Sequence, residues 1–480
     1  MFLSALLVAG VLFSCENVHY YEESSAESSS VGSQESGDES SRVRENHTAQ
    51  EWLERQPDAE YGGYTFTIAA PVSEYFVAQS NEELEQTRVN AAVEKRNILV
   101  CDKYNIKIAW KLLKTEDYDS TMTAQALSGQ QYADLAVSGS PQIALAAQKG
   151  ALLNLLSLPY FDIGADYLED AATQSVIGST AYGLYGSISL SQTFTWCVFY
   201  NRDLLEASGC QDPTELYRKG EWTLAKLQEM SEKIASETME KRTPDISRDT
   251  YGYTSYYNDD NFIMMLWQSS GLRALGDSYK TTAALSYNYE KSEAVLSSIA
   301  SLNESKSKYG ASREAAVNAF TGGRIGFFFN RLDFAKTLST SSVNWSIVPM
   351  PKVTSEQKHY FSPLDTYAYG VCAPLSQDNA ERTGMILNAL CAASVEQIEK
   401  GFIDNFVNHY LTDNEGAVML KKSLTGVCTD PTVIYGSAFS EINKIAAGPV
   451  TGVVNDGKDL ETAVELGRTA FEKLVKLKFR

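Results

Sequence analysis

Histidine is nearly missing from this chain, with four in 480 residues, at positions 19, 47, 359 and 409. None stands at a metal-ligand spacing or beside a partner for a nucleophilic triad. The chain has no G-x-S-x-G elbow, no phosphate-cradling P-loop and no G-x-G-x-x-G turn. Hydrolases and nucleotide enzymes that depend on these devices are excluded, and no metal or cofactor is expected. Positive charge is scarce too. Lys and Arg number 41 against 61 Asp and Glu, a net charge of −20. Such a chain repels nucleic acid and anionic head groups, so nucleic-acid binding is also excluded. Past the first dozen residues no apolar run is long enough to span a bilayer.

What is present is the material of a large globular protein. The chain is 44% hydrophobic and carries 27 Tyr and 6 Trp. This length exceeds one ordinary core and fits two or three domains. Tyrosines fill cores and surfaces in any protein, but flat rings also stack on the C–H faces of sugars. Seven cysteines stand at 15, 101, 197, 210, 372, 391 and 428, none in a C-x-x-C pair. Apart from Cys15 the six are an even number, which allows disulfides in an exported protein, but Cys101, Cys197, Cys372 and Cys391 lie in apolar runs, as buried free thiols do.

The amino terminus reads as an export signal. Residues 2–13, FLSALLVAGVLF, are too short for a permanent membrane helix and suit the apolar core of a signal peptide. The run ends in Leu12-Phe13-Ser14-Cys15, which resembles a bacterial lipobox. That resemblance implies a signal peptide over 1–15 and lipidation of Cys15, holding the protein on the outer face of the cell membrane. Residues 22–46, EESSAESSSVGSQESGDESSRVREN, are almost free of apolar side chains and cannot offset their chain entropy by burial. A disordered tether over 16–60 is expected, with the folded part starting near Tyr61.

Beyond it the hydrophobic period alternates. Strands are predicted at 64–70, 106–110, 133–138, 194–200, 324–329 and 345–351, and helices at 82–104, 120–127, 143–149 and 312–320. Thr223 reads as an N-cap with Trp222 stapled onto Leu227. Helices are also predicted at 379–398, 402–411, 415–423 and 460–477. Strand and helix in alternation mean an α/β protein with parallel sheets covered on both faces.

Six blocks then carry a family resemblance: YADLAVS at 132–138, GALLNL at 150–155, VFYNRDLL at 198–205, EWTL at 221–224, FTGGRIG at 320–326 and VPMP at 348–351. In this order they resemble the extracellular solute-binding proteins of ABC importers, the type that includes maltose-binding protein. VNAAVEKRN at 89–97, YNIKI at 104–108 and GSISLS at 186–191 resemble a branch of bacterial lipoproteins whose ligands are mostly unassigned. The resemblance implies a two-lobed periplasmic-binding-protein-like fold with hinge strands and an interlobe ligand cleft. It implies capture of a small solute, expected to be a mono- or oligosaccharide, by hinge closure, and delivery to the permease subunits by a monomer. Crossings between lobes are placed near 185–191, 324–329 and 360–367. Lobe one is placed at 60–185 plus 325–358, and lobe two at 190–322 plus 362–480.

Open parallel sheets bind ligands beyond the carboxyl ends of their strands. This rule selects Ser73 and Glu74 after the first strand, and Ser138, Gly139 and Ser140 after the third. Trp196 lies near the first crossing. Tyr257, Asp259 and Asp260 form a polar aromatic loop, Asn330 and Arg331 end an inward strand, and Asp365 and Tyr367 lie on the third crossing. Each has a plainer reading: turn chemistry for Ser138–Ser140, core for Trp196, helix caps for Asp259 and Asp260. Two other functions are weighed beside solute binding, a secreted polysaccharide-active enzyme and a surface adhesin. Asp259 and Asp260 make a poor glycosidase pair, because adjacent residues rarely place carboxyls across one glycosidic bond at the roughly 5–9 Å needed. The protein is therefore expected not to be an enzyme.

Overall fold

The computed structural model describes residues 47–72, 88–235, 245–257, 259–276, 283–411, 413–436 and 439–479. The signal peptide, Cys15 and most of the tether fall outside these, as do Ser73, Glu74 and the start of the helix predicted from 82.

Two four-stranded sheets organise the described residues. In the first, β1 (Tyr64–Pro71) lies between β2 (Ile106–Leu113) and β3 (Leu135–Gly139), parallel to both. The second holds β4 (Trp196–Asn201), β5 (Tyr251–Ser255), β6 (Ile325–Arg331) and β7 (Trp345–Pro349), in the order β5-β6-β4-β7. Two short strands, β8 (Ser362–Pro363) and β10 (Val427–Cys428), pair with each other, while β9 (Tyr369–Cys372) closes the first sheet antiparallel to β3. Each sheet with its helices is a lobe, and the molecule is a two-lobed α/β protein.

Lobe one carries α1 (Ala49–Glu54), α2 (Arg88–Tyr104), α3 (Thr115–Leu127), α4 (Ser140–Gln148) and α5 (Asp170–Thr173). The expected tether is too long at its carboxyl end. Thr48 and Glu51 form a reciprocal capping box that opens α1. Trp52 and Leu53 are buried, with the Trp52 ring 5.4 Å from that of Tyr167. Burying two such side chains contributes about 1.5–3 kcal/mol each, enough to hold a single helical turn on the domain.

The expected lobe boundaries also need correction. Residues 325–358 belong to lobe two, because β6 and β7 flank β4 on either side. All of Ile325–Asn330 is buried, the mark of a central strand covered on both faces, so 324–329 is no crossing. In the other direction, β9 and the first half of the helix Ala380–His409 belong to lobe one. That single helix replaces the two predicted at 379–398 and 402–411. Met385–Ala393 pack in the core of lobe one, whereas Phe402 and Phe406 pack in the core of lobe two. It is a bridge between the lobes, and the chain from 402 to 479 completes lobe two.

Other local expectations agree with the structure. Thr223 accepts a hydrogen bond from Lys226 N and caps Leu224–Ile234, with Trp222 and Leu227 both buried. Helix Arg313–Thr321 ends at Gly322 and Gly323, the latter at φ +72°, where a side chain would be strained. The six described cysteines are free thiols, Cys101 and Cys210 being only partly buried. Burial pushes the Cys428 thiol up to about 12.

Candidate functional site

Two segments pass side by side between the lobes, one through Gly186–Thr195 and one through Leu364–Tyr369. They are tied to each other: Asp365 N donates to Phe194 O at 3.0 Å, and Ser189 Oγ donates to Tyr369 O at 2.9 Å. Thr366 and Tyr367 form a turn, with Tyr367 N donating to Asp365 Oδ1 at 2.8 Å. Tyr367 in this turn and Tyr369 at the start of β9 therefore do not share one strand face. Aspartate competes for its own backbone and breaks the strand.

Asp365 is the centre of this region and is 1% exposed. Trp196 Nε1 donates to its Oδ2 at 2.9 Å, and Tyr257 OH donates to its Oδ1 at 3.3 Å. Arg331 Nη1 lies 3.8 Å from Oδ1 and pairs more closely with Asp333, at 2.7 Å. Burial alone would weaken the charge on Arg331, but Asp333 and Asp365 outweigh it and hold the guanidinium charged. Desolvation, then the charge of Asp365, raises the Tyr257 phenol above its ordinary value, so it stays a neutral donor. A carboxylate has about four lone-pair sites, and these partners occupy most of them. Asp365 thus orients its neighbours and has little capacity left for a ligand.

Those neighbours form an aromatic and cationic wall. The Arg331 guanidinium lies 5.0 Å from the Phe194 ring centre and 4.8 Å from that of Tyr256. Arg313, exposed at the start of its helix, lies 4.8 Å from the same Tyr256 ring and 4.7 Å from Tyr257. Phe194 and Tyr369 are 5.5 Å apart, edge to face. Tyr367 is 47% exposed, the one largely open ring of the group. The wall stands at the carboxyl ends of β5 and β6 and the amino end of β4, where the open-sheet rule looks for a ligand.

The sequence selection brings Trp196, Tyr257, Arg331, Asp365 and Tyr367 together in this place. On the lobe-one side Ser138 Oγ donates to Asp119, and Ser140 donates to Ala368 O from N at 2.9 Å and from Oγ at 2.7 Å. Gly139 pairs with Tyr369. Gly139 and Ser140 fasten the start of α4 to the crossing segment, and Ser138 ties β3 to α3. Asp259 is the N-cap of helix Asp260–Ser269, and Asp260 accepts from Asn455 Nδ2 at 2.8 Å. Asn330 is buried and its Oδ1 accepts from Arg331 N. Sequence reasoning missed Phe194, Arg313, Asp333 and Asp119. Phe194 and Arg313 carry no motif, and only the β4–β6 pairing brings 194, 331 and 333 to one end of a sheet.

The fold and this wall define a class, the two-lobed α/β binding proteins with a crevice at the lobe crossing. The chain belongs to the bacterial extracellular solute-binding protein family, whose model matches residues 100–399. Solved structures share the fold at low identity. The cyclic α-maltosyl-1,6-maltose binding protein of Arthrobacter globiformis is 12% identical, covers 86% of this chain and 100% of its own, and superposes with a TM-score of 0.56. The maltose-binding periplasmic protein of Listeria monocytogenes, solved with maltose, is 14% identical, covers 88% and 100%, and scores 0.51. The GacH receptor of Streptomyces glaucescens, studied with acarbose, is 15% identical, covers 86% and 99%, and scores 0.51. The sequence has no significant match among curated proteins. Among the described residues no helix is long and apolar enough to cross a membrane.

Proposed function

We propose that this chain is the saccharide-capturing subunit of an ABC importer, held outside the cell by a lipid on Cys15 and handing its solute to the permease. The observation that carries the reading is the wall around Asp365, which sets rings and fixed hydrogen-bond donors where the chain passes between lobes. Tyr367 offers an open face for a sugar ring, and Tyr256, Tyr369 and Arg331 supply polar edges around it. Structurally similar proteins bound to maltose and acarbose support the substrate class. Arg313, lying over two tyrosine rings at the mouth of this wall, favours as a second reading a saccharide that carries a carboxylate.

A thermal-shift screen of maltose, maltodextrins, uronates, amino acids and short peptides tests the reading. A saccharide should raise the melting temperature and be recovered unchanged. Recovery of a cleaved product would make the protein an enzyme. Binding of peptides alone would remove the sugar and leave the importer role. Mass spectrometry of the native membrane fraction should find Cys15 as a lipidated amino terminus.

A further inference from the structure

A further contact joins the lobes besides the crossing segments and the bridging helix. Its lobe-one side is the chain between α5 and the first crossing. Val371 in β9 pairs antiparallel with Leu184, so the chain running back to Tyr182 lies level with Ala373. That is the amino end of β3, four residues and roughly 13 Å along the strand from Tyr369. Asn154 ties this stretch to lobe one: its Nδ2 donates to Ser179 O at 2.9 Å, and its Oδ1 accepts from Ala181 N at 3.0 Å.

Lobe two grips the same stretch. Thr429 N donates to Gln174 Oε1 at 3.0 Å, and Tyr182 N donates to Tyr435 OH at 3.1 Å. The ring of Phe479, at the end of helix Leu460–Lys478, lies 6.4 Å from that of Tyr182 and 4.9 Å from that of Tyr435. Val176, Ile177 and Ala181 are buried in one apolar cluster with Tyr435 and Phe479. Tyr435 is fully buried and Phe479 is 5% exposed, so the contact is packed like a core.

Its place gives it a use. The crossing segments leave the first sheet at the Tyr369 end of β9, where the Phe194 and Tyr369 rings of the wall meet. The contact at Tyr182 lies past the other end. A turn about the crossing that narrows the cleft therefore swings lobe two away from lobe one at Tyr182. We propose that this contact is an autoinhibitory latch: it holds the cleft open in the empty protein, and a solute closes the lobes only by breaking it. The inference rests on the proposed capture of a solute by the cleft. Affinity is then reduced by the fraction of molecules in which the latch is released.

Phe479→Ala removes the ring that joins Tyr182 to lobe two. A merely structural ring would take stability away and leave affinity unchanged or weaker. The latch predicts opposite signs. The melting temperature falls, because a buried ring is lost, while affinity for the saccharide found in the screen rises about three- to tenfold. Gln174→Ala should act in the same direction with a smaller gain, and it takes the place of Phe479→Ala should that variant fail to fold. In the native chain, saturating solute should speed hydrogen exchange at the Tyr182 and Thr429 amides, whereas a bound ligand ordinarily slows exchange. Without any solute, Phe479→Ala should show a smaller radius of gyration in small-angle scattering than the native chain. Three results overturn the latch: equal or weaker affinity in both variants, unchanged or slower exchange at both amides, or an unchanged radius of gyration in the empty variant. The scattering needs no ligand, so it decides on the latch even where the saccharide reading fails.

Discussion

Two buried carboxylates in this protein have nearly the same company and opposite prospects. Asp134, in lobe one, is fully buried and accepts from Tyr64 OH at 3.0 Å, Thr67 N at 2.7 Å and Arg382 Nη2 at 3.3 Å. Asp365 likewise has a tyrosine, a backbone N–H and an arginine. The Arg382 guanidinium lies 3.5 Å from the Tyr64 ring centre, just as Arg331 lies over Tyr256. What separates them is position. Asp134 stands at the amino end of β3 and locks the sheet to the bridging helix inside one lobe. Asp365 stands at the carboxyl ends of the other sheet, on a segment that passes between lobes. A carboxylate–arginine–tyrosine cluster is therefore no sign of a ligand site until the strand direction is known.

The largest effects should come from breaking each cluster in turn. Asp134→Ala leaves Arg382 in a buried setting without its inner partner and should cost about 3–5 kcal/mol in urea unfolding. Affinity for the saccharide found in the screen should stay within about twofold, because the site is distant and shares no partner. Asp365→Ala should lose comparable stability and also weaken that affinity by tenfold or more, about 1.4 kcal/mol. If the two variants lose affinity equally, position does not distinguish the clusters and the cleft lies elsewhere.

The sequence made most elements of the fold legible, for identifiable reasons. Thr223 before an amphipathic helix and paired glycines after Thr321 are local signals, and both act as read. Lobe membership was not legible, because it depends on which strands pair. Ile325–Phe329 reads as a buried strand but carries nothing to say which sheet it enters. α1 is legible too: Thr48, Glu51 and Trp52 spell a capping box leading into an apolar turn, although the polar composition of the tract just before them masks it. In the site, Asp365 and Tyr367 are selected by their place on the third crossing, which the family resemblance implies. Arg313 belongs to the same wall only through the fold of β5 and β6, and one chain position cannot report that.

Tyr367 sharpens the comparison at smaller cost. Its ring is open to solvent, so Tyr367→Ala should change unfolding free energy by no more than about 0.5 kcal/mol. If the ring stacks on the solute, affinity should fall by about 1–3 kcal/mol, by analogy with base–aromatic stacking. Calorimetry and a melting curve on one sample settle it. A stability loss without an affinity loss would make Tyr367 a surface residue of the turn and nothing more.

The smallest effect concerns Asp119, the lobe-one carboxylate that accepts a hydrogen bond from Ser138 Oγ. Desolvation raises its carboxyl above the usual value, and the hydrogen bond from Ser138 only partly offsets this. A carboxyl raised in the folded state ionises first in the unfolded chain. Below the ordinary value both states are protonated and no penalty applies. As pH rises through the window up to the raised value, proton loss favours the unfolded chain and stability falls. Above that window the penalty is constant. Asp119→Asn cannot ionise and lacks this term, so the stability of the native chain minus that of the variant should decline as pH rises from about 3 to 7. Other carboxylates drive the acid unfolding of both proteins alike and cancel in the difference. A flat difference would mean that Asp119 is solvated when folded. Its hydrogen bond with Ser138 would then be a surface contact.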